Sequence, residues 1–498
     1  MKRASGILMP ITALPSKYGI GTLGKEARNF VDFLVRCKQT YWQILPIGPT
    51  SYGDSPYQSF SSYAGNPYLI DLDDLHKDGY LNLSEYTKEY WGDNPEKVDY
   101  GNLYQVRFKV LKKATDRLNE KKPDEYQKFL NDESFWLNDY ALFMSIKMSL
   151  GGVGLKDWPK ELRMRYPEAI KDAESRLSDD IMFWKAVQFF FFKQWAKLKQ
   201  YANDNGILMI GDIPIYVALD SVEVWTEPHQ FQLNKKGDPK DVAGCPPDGF
   251  SPDGQLWGNP LYAWNNMKKD HYDWWCRRIK QQSRFYDLIR IDHFRGFAGY
   301  YSIPAKDKTA RNGRWRKGPG IDFFREVEQR IGKINIIAED LGFLTPDVIE
   351  MVKESGYPGM KVLLFAFDSR DTGSGYLPHM YNNKCIAYTG THDNETVIGW
   401  IKSADKAGVR MATEYLHLTK EEGYNWGMIR GVMESVADTA IIPLQDYLGL
   451  DDSARFNIPS TLGGNWTWRC SSKQLSKALS KKIAHITELY GRADTSNN

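Results

Sequence analysis

The sharpest chemical signal in the sequence is an aspartate that lies between two arginines at the end of an apolar run. Residues 288–295 read Leu-Ile-Arg-Ile-Asp-His-Phe-Arg, and they place Asp292 between Arg290 and Arg295. Neighbouring cations should lower the pKa of the Asp292 carboxyl and keep it ionised, as a nucleophilic carboxylate requires. A purely structural arginine–aspartate pair would give the same pattern.

Two further apolar runs end in groups that could complete an acid–base site. Glu339 follows an apolar run, where partial burial should raise its pKa and suit a general acid; a helix-capping carboxylate is the alternative. His392 and Asp393 follow another run, although a lone His–Asp pair is more often structural. Together these ends provide two carboxylates for acid and nucleophile roles and a third to stabilise positive charge. The set favours glycosidic chemistry through an oxocarbenium ion over other acid–base chemistry.

Positioning these groups requires parallel strands that end at a common edge. Eight apolar runs alternate with segments of helical period, at residues 6–11, 41–47, 207–217, 288–294, 334–341, 361–367, 385–391 and 439–448. Near-continuous apolar strands are typical of a parallel sheet that is covered on both faces. We therefore predict an α/β protein, a (β/α)8 TIM barrel, whose carboxyl-terminal edge carries Asp212, Asp292, Glu339 and Asp393.

The uneven spacing of the runs predicts insertions into the barrel. We assign residues 1–74 to the first two strands and a substrate loop, and residues 75–178 to a mostly helical subdomain inserted after the second strand. Residues 179–219 return to the barrel with its third strand. The Pro- and Gly-rich residues 220–264 predict a loop-rich insertion over the active site. Residues 265–498 hold strands four to eight, with no C-terminal β-domain.

Composition and charge argue against several classes of function. The 498 residues carry a formal net charge of +2 and a mean hydropathy of -0.53, without an apolar run long enough to span a membrane. We therefore expect neither a nucleic-acid nor a membrane partner. Five scattered cysteines lack metal-binding spacing, and Pro10 interrupts any signal-peptide core. These features predict a cytoplasmic protein without disulfides, metal ions or cofactors.

Several longer motifs resemble one enzyme family. Residues 290–296 (Arg-Ile-Asp-His-Phe-Arg-Gly), 339–342 (Glu-Asp-Leu-Gly) and 391–395 (Thr-His-Asp-Asn-Glu) are similar to signature regions of the α-amylase clan. Motifs that the wider clan lacks resemble those of the 4-α-glucanotransferases, also called amylomaltases or disproportionating enzymes, which form glycoside hydrolase family 77. These motifs lie at residues 53–60, 65–68, 211–216, 243–248, 255–262 and 455–460. The resemblance runs from about residue 5 to about residue 468.

The resemblance implies roles for individual residues. Asp292 matches the family nucleophile, Glu339 the general acid/base and Asp393 the transition-state stabiliser, while Arg290 matches the arginine that orients the nucleophile. It also implies substrate contacts at Ser55, Tyr57, Asp212, Asp248, Phe250, Trp257, His293, Asp368, His392 and Asn457. One departure lies in the loop over the site, where Gly249 stands in place of a tyrosine found in many relatives.

These inferences predict an enzyme that cuts an α-1,4-glucan and transfers a segment to the 4-hydroxyl of an acceptor. The resemblance implies a retaining double displacement through a covalent glucosyl-enzyme intermediate. It also implies maltooligosaccharides, amylose or starch as substrates, glucose as an acceptor, and a monomer or homodimer. The alternatives are an α-amylase-like hydrolase that uses the same acids and a non-catalytic glucan-binding barrel.

Overall fold

The computed structural model of the chain describes residues 3–51, 53–247, 251–342, 344–367 and 374–494. These residues form the strands β1 (Ala4–Leu8), β2 (Tyr41–Gln43), β3 (Leu208–Pro214), β4 (Asp241–Cys245), β5 (Gln255–Pro260), β6 (Leu288–Asp292), β7 (Gly299–Pro304), β8 (Arg314–Lys317), β9 (Ile336–Ala338), β10 (Gly359–Val362), β11 (Cys385–Tyr388) and β12 (Thr439–Pro443).

The helices of the described residues follow the strands in alternation or lie in insertions. They are α1 (Lys25–Arg36), α2 (Leu72–Lys77), α3 (Tyr100–Lys121), α4 (Asp124–Asp132), α5 (Ser134–Ser149), α6 (Lys160–Arg163), α7 (Pro167–Arg176), α8 (Ser178–Asp204), α9 (Val222–Thr226), α10 (Trp264–Lys269), α11 (Asp273–Phe285), α12 (Ile321–Ile331), α13 (Pro346–Ser355), α14 (Val397–Ser403), α15 (Lys406–Leu416), α16 (Tyr424–Glu434), α17 (Leu444–Leu448) and α18 (Lys477–Leu489). None of them is both long and apolar enough to cross a membrane.

Eight parallel strands form a barrel, which confirms the predicted fold class. Their order is β10-β11-β12-β1-β2-β3-β6-β9, so the first and last strands of the barrel, β1 and β12, pair with each other. The ring is nearly closed between β9 and β10, where the Ala338 N–H donates to the Pro358 carbonyl at 2.9 Å. The carboxyl ends of all eight strands therefore meet at one edge.

The apolar runs of the sequence are continuous because both faces of the barrel strands are covered. Every residue of β1, β11 and β12 is buried. On the outside, α1 turns Phe30, Phe33 and Leu34 inward while its polar face remains in solvent. Each of the eight predicted runs overlaps one barrel strand, but four of them continue into helix. Residues 363–367 form a 3-10 helix and 444–448 form α17, while Ile11 and Phe294 each begin a 3-10 helix. Pro443 ends β12 because a proline has no N–H to donate to the ladder.

The chain between β2 and β3 contains α2 to α8. The prediction for residues 220–264 was incomplete, because this segment contributes β4 and β5 to a four-stranded antiparallel sheet of order β5-β4-β7-β8. Short strands among many prolines and glycines give no clear alternation of apolar residues, so the sequence pattern did not reveal this sheet. The division into subdomains at residues 75, 179, 220 and 265 stays a prediction.

A buried arginine from the C-terminal part of the chain fastens the amino-terminal edge of the barrel. The Arg492 guanidinium donates to the carbonyls of Met433 (2.8 Å), Ala4 (3.0 Å), Ser435 (3.1 Å) and Asp438 (3.3 Å). Ala4 is the first residue of β1, and Asp438 directly precedes β12. The guanidinium thus bonds to backbone acceptors on both sides of the β1–β12 pair, and Arg3 donates to two of the same carbonyls, those of Met433 and Ser435.

Replacing this arginine should destabilise the barrel. We expect Arg492→Met to remove the four hydrogen bonds of this buried guanidinium and to lower the free energy of unfolding by about 3 kcal/mol, which corresponds to a fall of about 3 °C in the unfolding midpoint. Thermal unfolding followed by circular dichroism measures this shift. The matched control is Arg311→Met, which breaks only an exposed pair with Asp253 and should change the midpoint by less than about 1 °C. Equal midpoints for the two variants would contradict the prediction.

Candidate active site

The predicted acids lie together at the carboxyl-terminal edge of the barrel. Asp212 of β3 is in register with Arg290 of β6, and Asp292 is the last residue of β6. Glu339 directly follows β9, and Asp393 lies in the loop after β11. This edge carries the active site in α/β-barrel enzymes. The acids therefore define a candidate active site.

Arg290 connects two strand ends through its buried guanidinium group. Its Nη1 donates to both carboxylate oxygens of Asp212, at 2.7 and 2.6 Å, and its Nη2 donates to Asp292 Oδ1 at 3.2 Å. Asp212 is fully buried. Burial opposes the charge on Arg290, but the two carboxylates outweigh it and raise the pKa of Arg290 well above its usual range. Arg290 thus stays cationic and fixes the position of the Asp292 carboxylate.

The pKa of the Asp292 carboxyl is raised, which contradicts the lowered pKa that the sequence predicts. Burial is the main cause, and the charges of Asp212 and Asp393 add to it. Arg290 acts in the opposite direction, but it forms its shorter bonds with Asp212. The other arginine of the predicted pair, Arg295, stacks its guanidinium over a tryptophan ring of β8 at 4.0 Å. The sequence shows these neighbours along the chain but not the burial that dominates.

Glu339 is held by backbone groups on both of its carboxylate oxygens. The His293 N–H donates to Oε2 at 2.6 Å and the Leu341 N–H donates to Oε1 at 3.0 Å. His293 adopts a left-handed conformation with φ 53°, which turns the chain sharply at the end of β6. Burial raises the pKa of Glu339, Arg290 opposes this rise, and the charge of Asp292 adds to it. The direction is the one that the sequence predicts.

Asp393 has the opposite electrostatic environment. Its Oδ1 accepts a hydrogen bond from Asn457 Nδ2 at 2.7 Å, and its Oδ2 lies 3.3 Å from His392 Nε2. Burial raises the pKa of Asp393, but His392, the Asn457 hydrogen bond and Arg290 together lower it below its ordinary value. The site therefore combines two carboxyls with raised pKa values and one that remains ionised in acid.

Tyr57 and His392 form a wall beside the three acids. The Tyr57 hydroxyl donates to Asp212 Oδ2 at 2.8 Å, and the Tyr57 ring stacks on the His392 ring with centroids 5.1 Å apart. The Trp466 ring lies 6.0 Å from both rings. Ser55 was predicted as a substrate contact. In this structure its hydroxyl oxygen accepts a hydrogen bond from the Tyr57 N–H at 3.3 Å and so stabilises the turn that carries Tyr57.

Trp257 and His293 form a second pair of rings, on the side of the antiparallel sheet. Their centroids are 4.8 Å apart and their planes are nearly perpendicular. Burial and the charge of Arg295 lower the pKa of His293 to about 3, so the imidazole is neutral near pH 7. Its Nε2 is buried, and within the described parts of the chain it has no hydrogen-bond partner. A neutral imidazole whose Nε2 is free can donate a hydrogen bond to a ligand hydroxyl or accept one from it, depending on its tautomer.

The structure does not test every predicted contact. Asp248, Phe250 and Asp368 lie outside the described residues, as does Gly249.

Two neighbours of the site were not predicted. Arg455 lies within the motif at residues 455–460 and donates to the Asp393 carbonyl, and Trp466 gave no signal because its position depends on contacts distant in sequence. Across the residues that the structure describes, no group of three or more His, Cys, Asp or Glu side chains is placed to hold a metal ion.

The barrel brings three carboxyls together at one edge, an arrangement suited to chemistry on glycosidic bonds. The chain belongs to the 4-α-glucanotransferase family, since the family model described as 4-alpha-glucanotransferase matches residues 9–475. A 4-alpha-glucanotransferase of Clostridium butyricum is 49% identical over 98% of this chain and 100% of its own length. The Thermus thermophilus 4-alpha-glucanotransferase is 44% identical over 99% of both chains. The structure of the amylomaltase from Streptococcus agalactiae in complex with acarbose matches with a TM-score of 0.96 and 42% identity, over 99% of this chain and 100% of that chain. The protein is therefore a transferase that acts on α-1,4-glucans.

The buried Arg290–Asp212 pair should matter more for stability than the Arg290–Asp292 contact. We expect Asp212→Asn to lower the free energy of unfolding by about 3 kcal/mol, because it leaves the Arg290 charge without its main partner. Asp292→Asn should change stability by less than about 1 kcal/mol, since the Asp292 side chain is 31% exposed and makes the longer contact. Thermal unfolding of the two variants beside the parent measures the difference. A larger loss in Asp292→Asn would reverse our account of the network.

Proposed function

We propose that this chain transfers α-1,4-glucan segments by a retaining double displacement, with Asp292 as nucleophile, Glu339 as general acid/base and Asp393 as stabiliser of the transition state. The observation that carries the proposal is the meeting of these three carboxyls at one barrel edge with pKa values shifted in different directions. A raised pKa suits a proton donor, and a lowered pKa suits a permanent anion facing positive charge.

The first step of the proposed reaction forms a covalent intermediate. An oxygen of the Asp292 carboxylate attacks the anomeric carbon of the donor glucan, and the bond to the leaving glycosidic oxygen breaks. Glu339 gives its proton to that oxygen, so the leaving segment departs with a new hydroxyl group. Arg290 holds the attacking carboxylate, and Asp393 remains anionic while positive charge develops on the sugar ring.

The second step transfers the bound segment to the acceptor. Glu339, now ionised, takes the proton from the 4-hydroxyl of an acceptor sugar while the oxygen of that hydroxyl attacks the anomeric carbon. The bond to Asp292 breaks, so both carboxyls return to their starting states. The two inversions leave the configuration at the anomeric carbon unchanged.

The rings beside the acids are proposed as sugar contacts. Tyr57 and His392 present a stacked pair of rings, and Trp257 with His293 presents a second pair. The apolar face of a sugar stacks on such rings, while the free His293 Nε2 can bond to a hydroxyl group. Asp248, Phe250 and Asp368 stay predicted contacts. Glucose and maltooligosaccharides as acceptors, a monomeric or homodimeric state and a cytoplasmic location also stay predictions.

Transfer should exceed hydrolysis in this enzyme. An oriented acceptor reacts as if present at roughly 10⁵–10⁸ M, which outweighs bulk water. With maltotriose as sole substrate, we expect glucose and a ladder of longer maltooligosaccharides while the total of reducing ends stays nearly constant. Chromatography of the products together with a reducing-end assay measures both quantities, and Asp292→Asn should abolish the ladder. Rising reducing ends without longer products would instead identify a hydrolase.

The pH dependence of kcat/KM should be bell-shaped. Ionised Asp292 is required, so activity rises as the pH passes upward through its pKa; protonated Glu339 is required, so activity falls above the higher pKa of Glu339. The ordinary pKa values are about 3.9 for Asp and about 4.3 for Glu. Because both pKa values are raised here, the midpoint of the acid limb should lie above pH 3.9 or so, and the midpoint of the basic limb above about pH 4.3. Initial rates with maltotriose across pH give the profile.

The matched variant for this profile is Glu339→Gln, which cannot exchange a proton. This variant should lose most of the activity, because it has no proton to give to the leaving oxygen. It should also lose the basic limb of the profile, because that limb reports the loss of the proton from the pair of interacting carboxyls. If the basic limb persisted unchanged in an active Glu339→Gln enzyme, a different group would be the acid.

A further inference from the structure

The loop that carries Asp393 has no regular secondary structure of its own. Residues 389–396 connect β11 to α14, and Asp393 lies in their second half. The buried Asp446 carboxylate holds the two ends of this loop, since it accepts hydrogen bonds from Thr389 Oγ1 at 2.5 Å and from the Val397 N–H at 2.8 Å. These bonds do not reach Asp393 itself, whose N–H donates to Thr391 Oγ1 within the same loop at 3.3 Å. Fixing Asp393 relative to the barrel requires an anchor from outside the loop.

One guanidinium group provides that anchor. Arg455 Nη2 donates to the backbone carbonyl of Asp393 at 2.7 Å, and Arg455 Nε donates to the backbone carbonyl of Asn457 at 2.7 Å. The Asn457 side chain in turn donates to Asp393 Oδ1 at 2.7 Å. The three residues thus form a closed set of hydrogen bonds. The backbone of Asp393 and the amide that orients its carboxylate are both fixed to the same rigid group.

We propose that Arg455 is a positioning residue for the transfer reaction, which holds Asp393 and Asn457 in one fixed arrangement so that the Asp393 carboxylate faces the reacting sugar. The proposal rests on the proposed role of Asp393. Asn457 occupies Oδ1, and the other oxygen, Oδ2, lies beside His392. Among the described residues, Arg455 forms no hydrogen bond with Asp292 or Glu339, and it acts through Asp393 and its partner Asn457.

The geometry requires a guanidinium group rather than any cation. Arg455 uses two nitrogens of one planar fork to reach two carbonyls. A lysine presents a single nitrogen on a flexible stem and cannot hold both carbonyls in this way. Arg455→Lys therefore keeps the charge and loses the arrangement, which separates positioning from a general electrostatic effect.

The first experiment compares Arg455→Met and Arg455→Lys with a matched control. Arg330 also donates to two backbone carbonyls, those of Asp270 and His271, but it lies on α12, outside the candidate site. We expect Arg455→Met to lower kcat with maltotriose about tenfold to a hundredfold while KM changes less than about threefold. Arg455→Lys should recover only part of this loss, and Arg330→Met should leave kcat unchanged. A kcat in Arg455→Met equal to that of the parent enzyme would overturn the proposal.

The second experiment repeats the substitution in an enzyme whose Asp393 carboxylate has been removed. Asp393→Asn keeps the backbone carbonyl that Arg455 binds but not the anion that it positions. If Arg455 acts through that anion, Arg455→Met should cost less than about threefold in the Asp393→Asn background. The same tenfold to hundredfold loss in both backgrounds would show that Arg455 acts by another route, and the proposal would be wrong.

The outcomes separate this inference from the proposed function. An Asp393→Asn enzyme of full activity would refute the role of Asp393 and this inference together. An Asp393→Asn enzyme of low activity with an undiminished Arg455→Met loss would refute this inference alone. Should Arg455→Met fail to fold, Arg455→Lys carries the same cycle, because it keeps the aliphatic stem and the charge.

Discussion

A cation buried inside a barrel must be matched by buried anions, and the rest of the candidate site depends on how Arg290 is matched. Removing a charge from water costs several kcal/mol, which only short, well-aligned hydrogen bonds offset. Asp212 accepts two such hydrogen bonds from Arg290 and a third from the Tyr57 hydroxyl. The pair therefore joins β3 to β6, fixes the wall beside the acids and leaves one nitrogen of Arg290 for Asp292.

This arrangement explains why the three acids differ although all lie at one edge. Burial dominates the pKa values of Asp292 and Glu339, because Arg290 makes its shorter hydrogen bonds with Asp212. Asp393 instead has a histidine and an amide directly on its two oxygens. A shared environment would give three similar carboxyls, whereas local partners leave two of them with raised pKa values and one with a lowered pKa.

The sequence predicts the barrel well because a strand covered on both faces is apolar throughout, and such runs are visible without any contacts. It also predicts which strand ends carry Asp292, Glu339 and Asp393. It fails where the outcome depends on packing: the antiparallel sheet that includes β4 and β5 has short strands with irregular composition, and the pKa of Asp292 depends on burial. The contacts of Arg455 join residues far apart in the chain, so nothing in the local pattern could reveal them.

The pairing of β1 with β12 has a consequence for the newly made protein on the ribosome. Of the barrel strands, β1 leaves the ribosome first and can pair with β2 soon afterwards, but its other edge stays open until β12 has been translated. At 5–20 residues per second, this takes roughly 20 to 90 s. During that interval a fully buried strand of the finished protein presents unpaired backbone groups to other chains. The open edge of β1 is therefore available for pairing with other chains through most of translation.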